Sequence, residues 1–244
     1  MTAFLTDVRQ TLLGSHGKHG PLPPMLVAMT LVTGLVDAFS YLVLGHVFVA
    51  NMTGNVVLLG FALVGAPGFS IAASIVAIAS FVLGSLAGGR IGSRFSSHRA
   101  NHLSFATTVQ SVFLAAAVIL AALMSTPVGT GYRYGLIVVL VIGMGIQNAS
   151  VRKLAVPDLT ATVLTMTITG TAADSTIARG PGAKAGRRIV AVATMLAGAV
   201  VGATLIVHHH TVYPLVIALV VGSSVAATAG ALGRSDPSWV ASPT

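Results

Sequence analysis

With 244 residues, of which 55% are hydrophobic and 7% charged, and a mean hydropathy of +0.91, the chain is incompatible with a water-soluble globular domain and describes a multi-span helical membrane protein. Its formal charge of +8 does not point to nucleic acid, because the basic residues fall in short loops between apolar runs, where orientation in a membrane accounts for them. With no cysteine there is no disulfide, no thiol catalysis and no thiolate metal site.

The first 23 residues carry Arg9 and Lys18, end in Pro21, Pro23 and Pro24, and read as a cytoplasmic tail without the short apolar core of a signal peptide. Apolar segments follow at about 25–44, 47–65, 70–89, 103–124, 134–149, 159–173, 187–207 and 212–232. One integral membrane domain therefore covers 24–233, with a cytoplasmic tail at 234–244.

The basic residues decide how these segments cross. If all eight spanned with the N-terminus inside, Arg90, Arg94, Arg99, Arg152 and Lys153 would lie outside. If the second and sixth instead enter and return to the same side, every Lys and Arg except Arg133 faces the cytoplasm, as the positive-inside rule requires. The expectation is an all-α polytopic bundle of about six spanning helices plus two short re-entrant or broken segments.

The same arrangement recurs within the chain. Gly34-xxx-Ala38 with Asp37 returns as Gly145-xxx-Ala149 with Asn148, the Thr53 region returns around Thr165, and Gly84-xxx-Gly88 returns as Gly198-xxx-Gly202. The halves are about 24–124 and 134–233. Each holds an odd number of spans, so the second copy is inverted relative to the first, a design of secondary transporters that places the site where the copies meet.

Candidate site residues follow from depth and polarity. Asp37 lies about twelve residues into the first span, roughly 18 Å into a ~30 Å hydrocarbon core, and a carboxylate at that depth marks a proton or cation site or a structural cap. In NMTGN, the amides Asn51 and Asn55 and the hydroxyl of Thr53 surround Gly54, which permits a backbone break that is tolerated in lipid only when buried or lining a cavity; a simple turn between two spans is the alternative. The second half offers Gln147 and Asn148, then hydroxyls from Thr160 to Thr171, of which Thr162 and Thr165 are the best placed to line a cavity. The same hydroxyls can instead satisfy backbone carbonyls. His46 is either a proton relay or structural, and His208–His210 lacks the acidic or cysteine partner of a metal site.

No glutamate, HExxH, GxSxG or phosphate-binding glycine loop occurs, so no enzyme, catalytic residue, metal or cofactor is expected. The expected partners are a small-molecule solute, the lipid bilayer and, for assembly, further copies of the chain as a homo-oligomer.

GLVDAFSYLVLGHVFVANMTGN (Gly34 to Asn55) and GMGIQNASVRKLAVPDLTATVLTMTITG (Gly143 to Gly170) resemble the YoaK, or DUF1275, family of bacterial membrane proteins, and the resemblance runs over most of 25–232. It implies a small-molecule permease of the bacterial inner membrane without an assigned substrate. Where that family shows a glycine after threonine in the second motif, this chain has Met166 between Thr165 and Thr167, a departure that bears on how sharply the second segment breaks. The expected function is a secondary transporter of a small polar solute, coupled to a proton or cation through Asp37. A channel or passive facilitator, and a membrane scaffold or sensor, are the alternatives.

Overall fold

The computed structural model describes residues 2–14, 19–124, 128–156, 164–174, 185–235 and 239–240. Helix α1 (Thr2–Leu13) precedes α2 (Leu22–Val43), α3 (Met52–Leu63), α4 (Ile71–Arg94), α5 (Arg99–Leu123) and α6 (Thr130–Leu154); α7 (Leu164–Ala173), α8 (Ala185–Val207) and α9 (Tyr213–Ser235) follow. No strand occurs among the described residues. Six of the helices, α2, α4, α5, α6, α8 and α9, are long and apolar enough to cross a membrane. At 1.5 Å per residue the 12 residues of α3 and the 10 of α7 reach only about 18 and 15 Å, too short for a ~30 Å core.

Local chemistry sets the helix ends. Pro23 and Pro24 occupy the first turn of α2, where a missing N–H costs nothing. Asn51 caps α3 by accepting from Gly54 N at 3.1 Å, Ser70 caps α4 through Ala73 N, and His98 caps α5 through Asn101 N. Arg152 and Lys153 close the last turn of α6, where positive charge suits the helix dipole, and Ala155 ends it in the left-handed conformation at φ 49°.

Helices α2 and α6 form the centre and the others surround them. Leu35, Phe39, Leu136 and Leu140 are fully enclosed in one core cluster. In contrast Leu83, Leu86, Ile119, Leu196, Val200 and Val220 stand exposed on α4, α5, α8 and α9, the apolar exterior expected of helices in contact with lipid. Two seams bring backbones together. On the α2–α8 seam Gly34 lies against Met195 and Ala199, and Gly198 against Leu31 and Gly34. On the α4–α6 seam Gly84 lies against Ile142, Gly88 against Ile146 and Ala149, and Gly145 against Phe81 and Ser85. A Cβ at Gly34 or Gly84 would overlap the facing backbone, so these approaches need glycine.

Several expected boundaries move. The segment at about 47–65 is helical only from Met52, because the chain between Leu44 and Asn51 is irregular. The segment at about 134–149 is extended at both ends to Thr130–Leu154, and the one at 103–124 starts earlier, at Arg99. The first 23 residues, expected as a tail, contain α1: Asp7 Oδ2 accepts from Arg187 N at 2.8 Å, tying it to the start of α8 while Leu5, Leu12 and Leu13 stay exposed. Trp239 and Val240, in the expected C-terminal tail, are buried: Trp239 packs on Gly20 and Val240 O accepts from Arg99 N at 2.8 Å.

Candidate functional site

Between α2, α3, α4 and α6 lies a cavity of about 1500 Å³. Its depth is set by α2, which presents Thr33 and, one turn on, Asp37. The irregular stretch after α2 descends beside Asp37, whose Oδ1 accepts from Val49 N at 3.0 Å and Ala50 N at 2.9 Å. These bonds satisfy backbone groups that have no helix or strand to join. The other oxygen, Oδ2, has no protein partner, although the residue is only 6% exposed and lines the cavity.

The start of α3 forms one wall, with Asn51, Met52, Thr53 and Gly54 on the lining. Asn55 does not join them. It is fully buried, its Oδ1 accepting from Phe48 N at 2.9 Å and its Nδ2 donating to Phe48 O at 2.7 Å, so it copies the pairing of a neighbouring strand and holds the irregular stretch from behind. Gly54 is required by the same packing, since a Cβ there would meet the Phe48 ring at 2.7 Å.

The opposite wall comes from α4 and α6. Ser85, Gly89 and Ser93 recur every fourth residue along one face of α4, and Asn148, Arg152 and Lys153 descend the facing side of α6. Asn148 lines the cavity and spends one of its two amide N–H groups on Met144 O at 2.9 Å. Gln147 sits behind the wall, at 3% exposure: it accepts from Gln110 Nε2 and donates to Thr33 Oγ1 at 3.1 Å and Met29 O at 3.3 Å, cross-linking α6 to α2 and α5. Thr165 of α7 lines the cavity, whereas Thr162 lies outside the described residues.

The two ends of the cavity differ. Arg152, Lys153 and Ser93 stand exposed at the end where α4 and α6 terminate. At the other end Phe48 is stacked on Tyr41 with ring centroids 4.9 Å apart, and Tyr41 meets His46 edge-on at 5.1 Å. His46, held at φ 58°, donates from Nδ1 to Gly68 O at 3.1 Å and leans on Phe69. Arg133 Nη2 donates to Gly45 O at 3.3 Å across the same end. His46 thus serves here as a clasp between the α2–α3 and α3–α4 connections. Among the described residues no group of three His, Cys, Asp or Glu is placed to hold a metal ion.

Of the residues expected from sequence, Asp37, Asn51, Thr53, Gly54, Asn148 and Thr165 share this cavity, while Asn55 and Gln147 support its walls. Thr33, Ser85, Ser93, Arg152 and Lys153 were not among them. The repeat of small polar residues at Ser85, Gly89 and Ser93, and the placing of Thr33 one turn before Asp37, are the signals that could have found the first three.

The family model described as "Protein of unknown function (DUF1275)" matches residues 25–228. The chain is also 34% identical over 145 residues to the "UPF0700 transmembrane protein YoaK" of Bacillus subtilis (strain 168), a match covering 59% of this chain and 63% of that protein. It therefore spans less than two thirds of the length of that relative. No solved structure matches.

Proposed function

Because the chain belongs to the DUF1275 family and encloses an unpartnered carboxylate oxygen in a membrane-depth cavity, we propose that it is a permease of a small polar solute, coupled to a proton or another cation through Asp37. The observation that carries this is Asp37 Oδ2. A carboxylate at the cavity lining that leaves one buried oxygen without a protein partner holds more acceptor capacity than pinning Val49 and Ala50 requires.

Asn51, Thr53, Asn148 and Thr165 are then the groups that meet the solute, and Asn55 and Gln147 keep the walls in register. The positive-inside rule puts the end bearing Arg94, Arg152 and Lys153 in the cytoplasm, with both chain ends on that side of a bacterial inner membrane. On that orientation the cavity opens inward, and the cover formed by Tyr41, His46 and Phe48 closes it toward the outside, which suits a carrier better than an open pore. The helices α3 and α7 are the two re-entrant segments of an inverted repeat. Supporting this, the first helix of each half lies against the third helix of the other, through Gly34 and Gly198 in one seam and Gly145 and Gly84 in its counterpart.

The test is uptake into proteoliposomes. Asp37→Asn is expected to abolish solute flux driven by a pH gradient while yield and melting temperature stay close to those of the parent chain. Loss of folding in parallel with flux would assign Asp37 a structural role and sink the coupling.

A further inference from the structure

Helix α1 is amphipathic the wrong way round for a helix in water. Its polar Asp7 and Thr11, one turn apart, face the protein: Thr11 is fully buried and donates to Asp7 O at 2.7 Å, while Asp7 Oδ2 accepts from Arg187 N at 2.8 Å in the first turn of α8. Leu5 and Leu12, seven residues apart and so on one face, are exposed instead, with Phe4 and Leu13 exposed on either side of them. A third direction is both polar and exposed, marked by Thr6 and Gln10. Arg9 stands exposed among the leucines. Its long stem can lie along an apolar surface while the guanidinium leaves it.

The place of α1 in the bundle decides what meets the leucines. Helices α2 and α8 run parallel, since Gly34 lies against Gly198 and, further along both, Ala38 lies against Gly202. Gly34 is as far from Leu22, where α2 begins, as Gly198 is from Ala185, where α8 begins, to within a residue. The two spans therefore start at the same level. At its beginning α1 touches the start of α8, with Phe4 and Val8 against Gly186; past its end Gly14 lies against Gly20 and Pro21, immediately before α2. A helix laid across two level span ends runs along the membrane plane and not through it. Helix α8 has 23 residues, about 35 Å against a ~30 Å hydrocarbon core, which puts its first turn, and α1 with it, at the boundary of the acyl chains. From the same place Ile189, the first exposed large apolar residue of α8, begins that helix's lipid-facing surface.

We infer that α1 is an in-plane anchor on the phospholipid surface, with Leu5, Leu12 and Leu13 in the acyl boundary, Arg9 reaching the headgroup phosphates, and Thr6 and Gln10 toward water. The leucines then continue the lipid contact of α8, and the Asp7–Arg187 bond sets the depth at which the anchor lies. This role is independent of the permease reading.

The absence of cysteine makes the test direct. In the full chain, Leu12→Cys and Gln10→Cys are each labelled with a small environment-sensitive fluorophore and reconstituted at high lipid-to-protein ratio into phosphatidylglycerol–phosphatidylcholine vesicles. Each is then quenched by lipid bearing a nitroxide near the headgroup and, separately, by iodide present on both faces. The Leu12→Cys label is expected to be quenched several-fold more strongly by the nitroxide lipid than the Gln10→Cys label, with the order reversed for iodide. Adding Leu5→Asn and Leu13→Asn to Leu12→Cys should lose the nitroxide quenching and open the label to iodide. Should Leu12→Cys not fold, Leu13→Cys carries the same test. Iodide reaching both labels equally would place the helix in water, and nitroxide quenching both equally would remove its polar side; either overturns the in-plane anchor. A Leu12→Cys label shielded from both quenchers overturns it too, and gives the leucine face to a protein partner or a second copy of the chain.

Discussion

Asp37 reaches along the chain to hold Ala50, accepting its backbone N–H at 2.9 Å, and takes Val49 N with the same oxygen. One carboxylate oxygen thus fixes the unwound stretch between α2 and α3, and the other is buried without a protein partner. Substitutions separate the two tasks. Asp37→Ala leaves two buried N–H groups without an acceptor and is expected to lower stability by about 1–3 kcal/mol for each. Asp37→Asn keeps an acceptor at Oδ1 and should unfold within a few degrees of the parent chain in a detergent thermal melt.

The glycine seams predict opposite outcomes for one kind of substitution. Gly84→Ala pushes a methyl group into the backbone of Ile142 and should destabilise by roughly 1–3 kcal/mol. Gly60→Ala, inside α3 with nothing within 4 Å of the new carbon, should stabilise by about 0.5–1 kcal/mol. Equal effects on the melting temperature would contradict the packing described for α4 and α6.

Trp239 is predicted to anchor the C-terminal segment. It is buried on Gly20, next to Arg99, whose Nη2 donates to Leu154 O at 2.9 Å and to His19 Nδ1 at 3.3 Å. Trp239→Ala should cost about 3–5 kcal/mol, and Trp239→Phe markedly less. Limited proteolysis near the C-terminus is the direct measure, since loss of the anchor exposes the chain after α9.

Topology is testable without background, because the chain has no cysteine. Val64→Cys, 82% exposed just after α3, should react with a membrane-impermeant thiol reagent on intact cells. Ser97→Cys, exposed between α4 and α5, should react only after permeabilisation. The reverse pattern would invert the orientation inferred from the basic residues.

How much of this could be read from the sequence follows from the range of each interaction. Six long helices and two short segments were legible because apolar length and the side on which Arg90, Arg94 and Arg152 fall are local properties. Asp37 was legible as a cavity residue because depth along a helix is a matter of counting. Asn55 and Gln147 were not separable from true lining residues: both are amides in apolar surroundings, and only the position of Phe48, or of Thr33 and Gln110 on other helices, shows that their donors and acceptors are spent. Helix α1 was missed because its exposed Leu5, Leu12 and Leu13 are too few for a span, and its mooring to α8 through Asp7 and Arg187 crosses most of the chain.

The α2–α8 seam also sets a timetable. Gly34 meets Gly198 and Ala199, which leave the ribosome about 160 residues later, so at 5–20 residues per second α2 waits roughly 10–30 s for the helix it packs against. Throughout that interval the helix carrying Asp37 stands in the membrane without its neighbour. The bonds from Asp37 to Val49 and Ala50, by contrast, need only the first 50 residues of the chain. The contacts of Asp37 are thus local in the chain, while the glycine seam of the same helix is not.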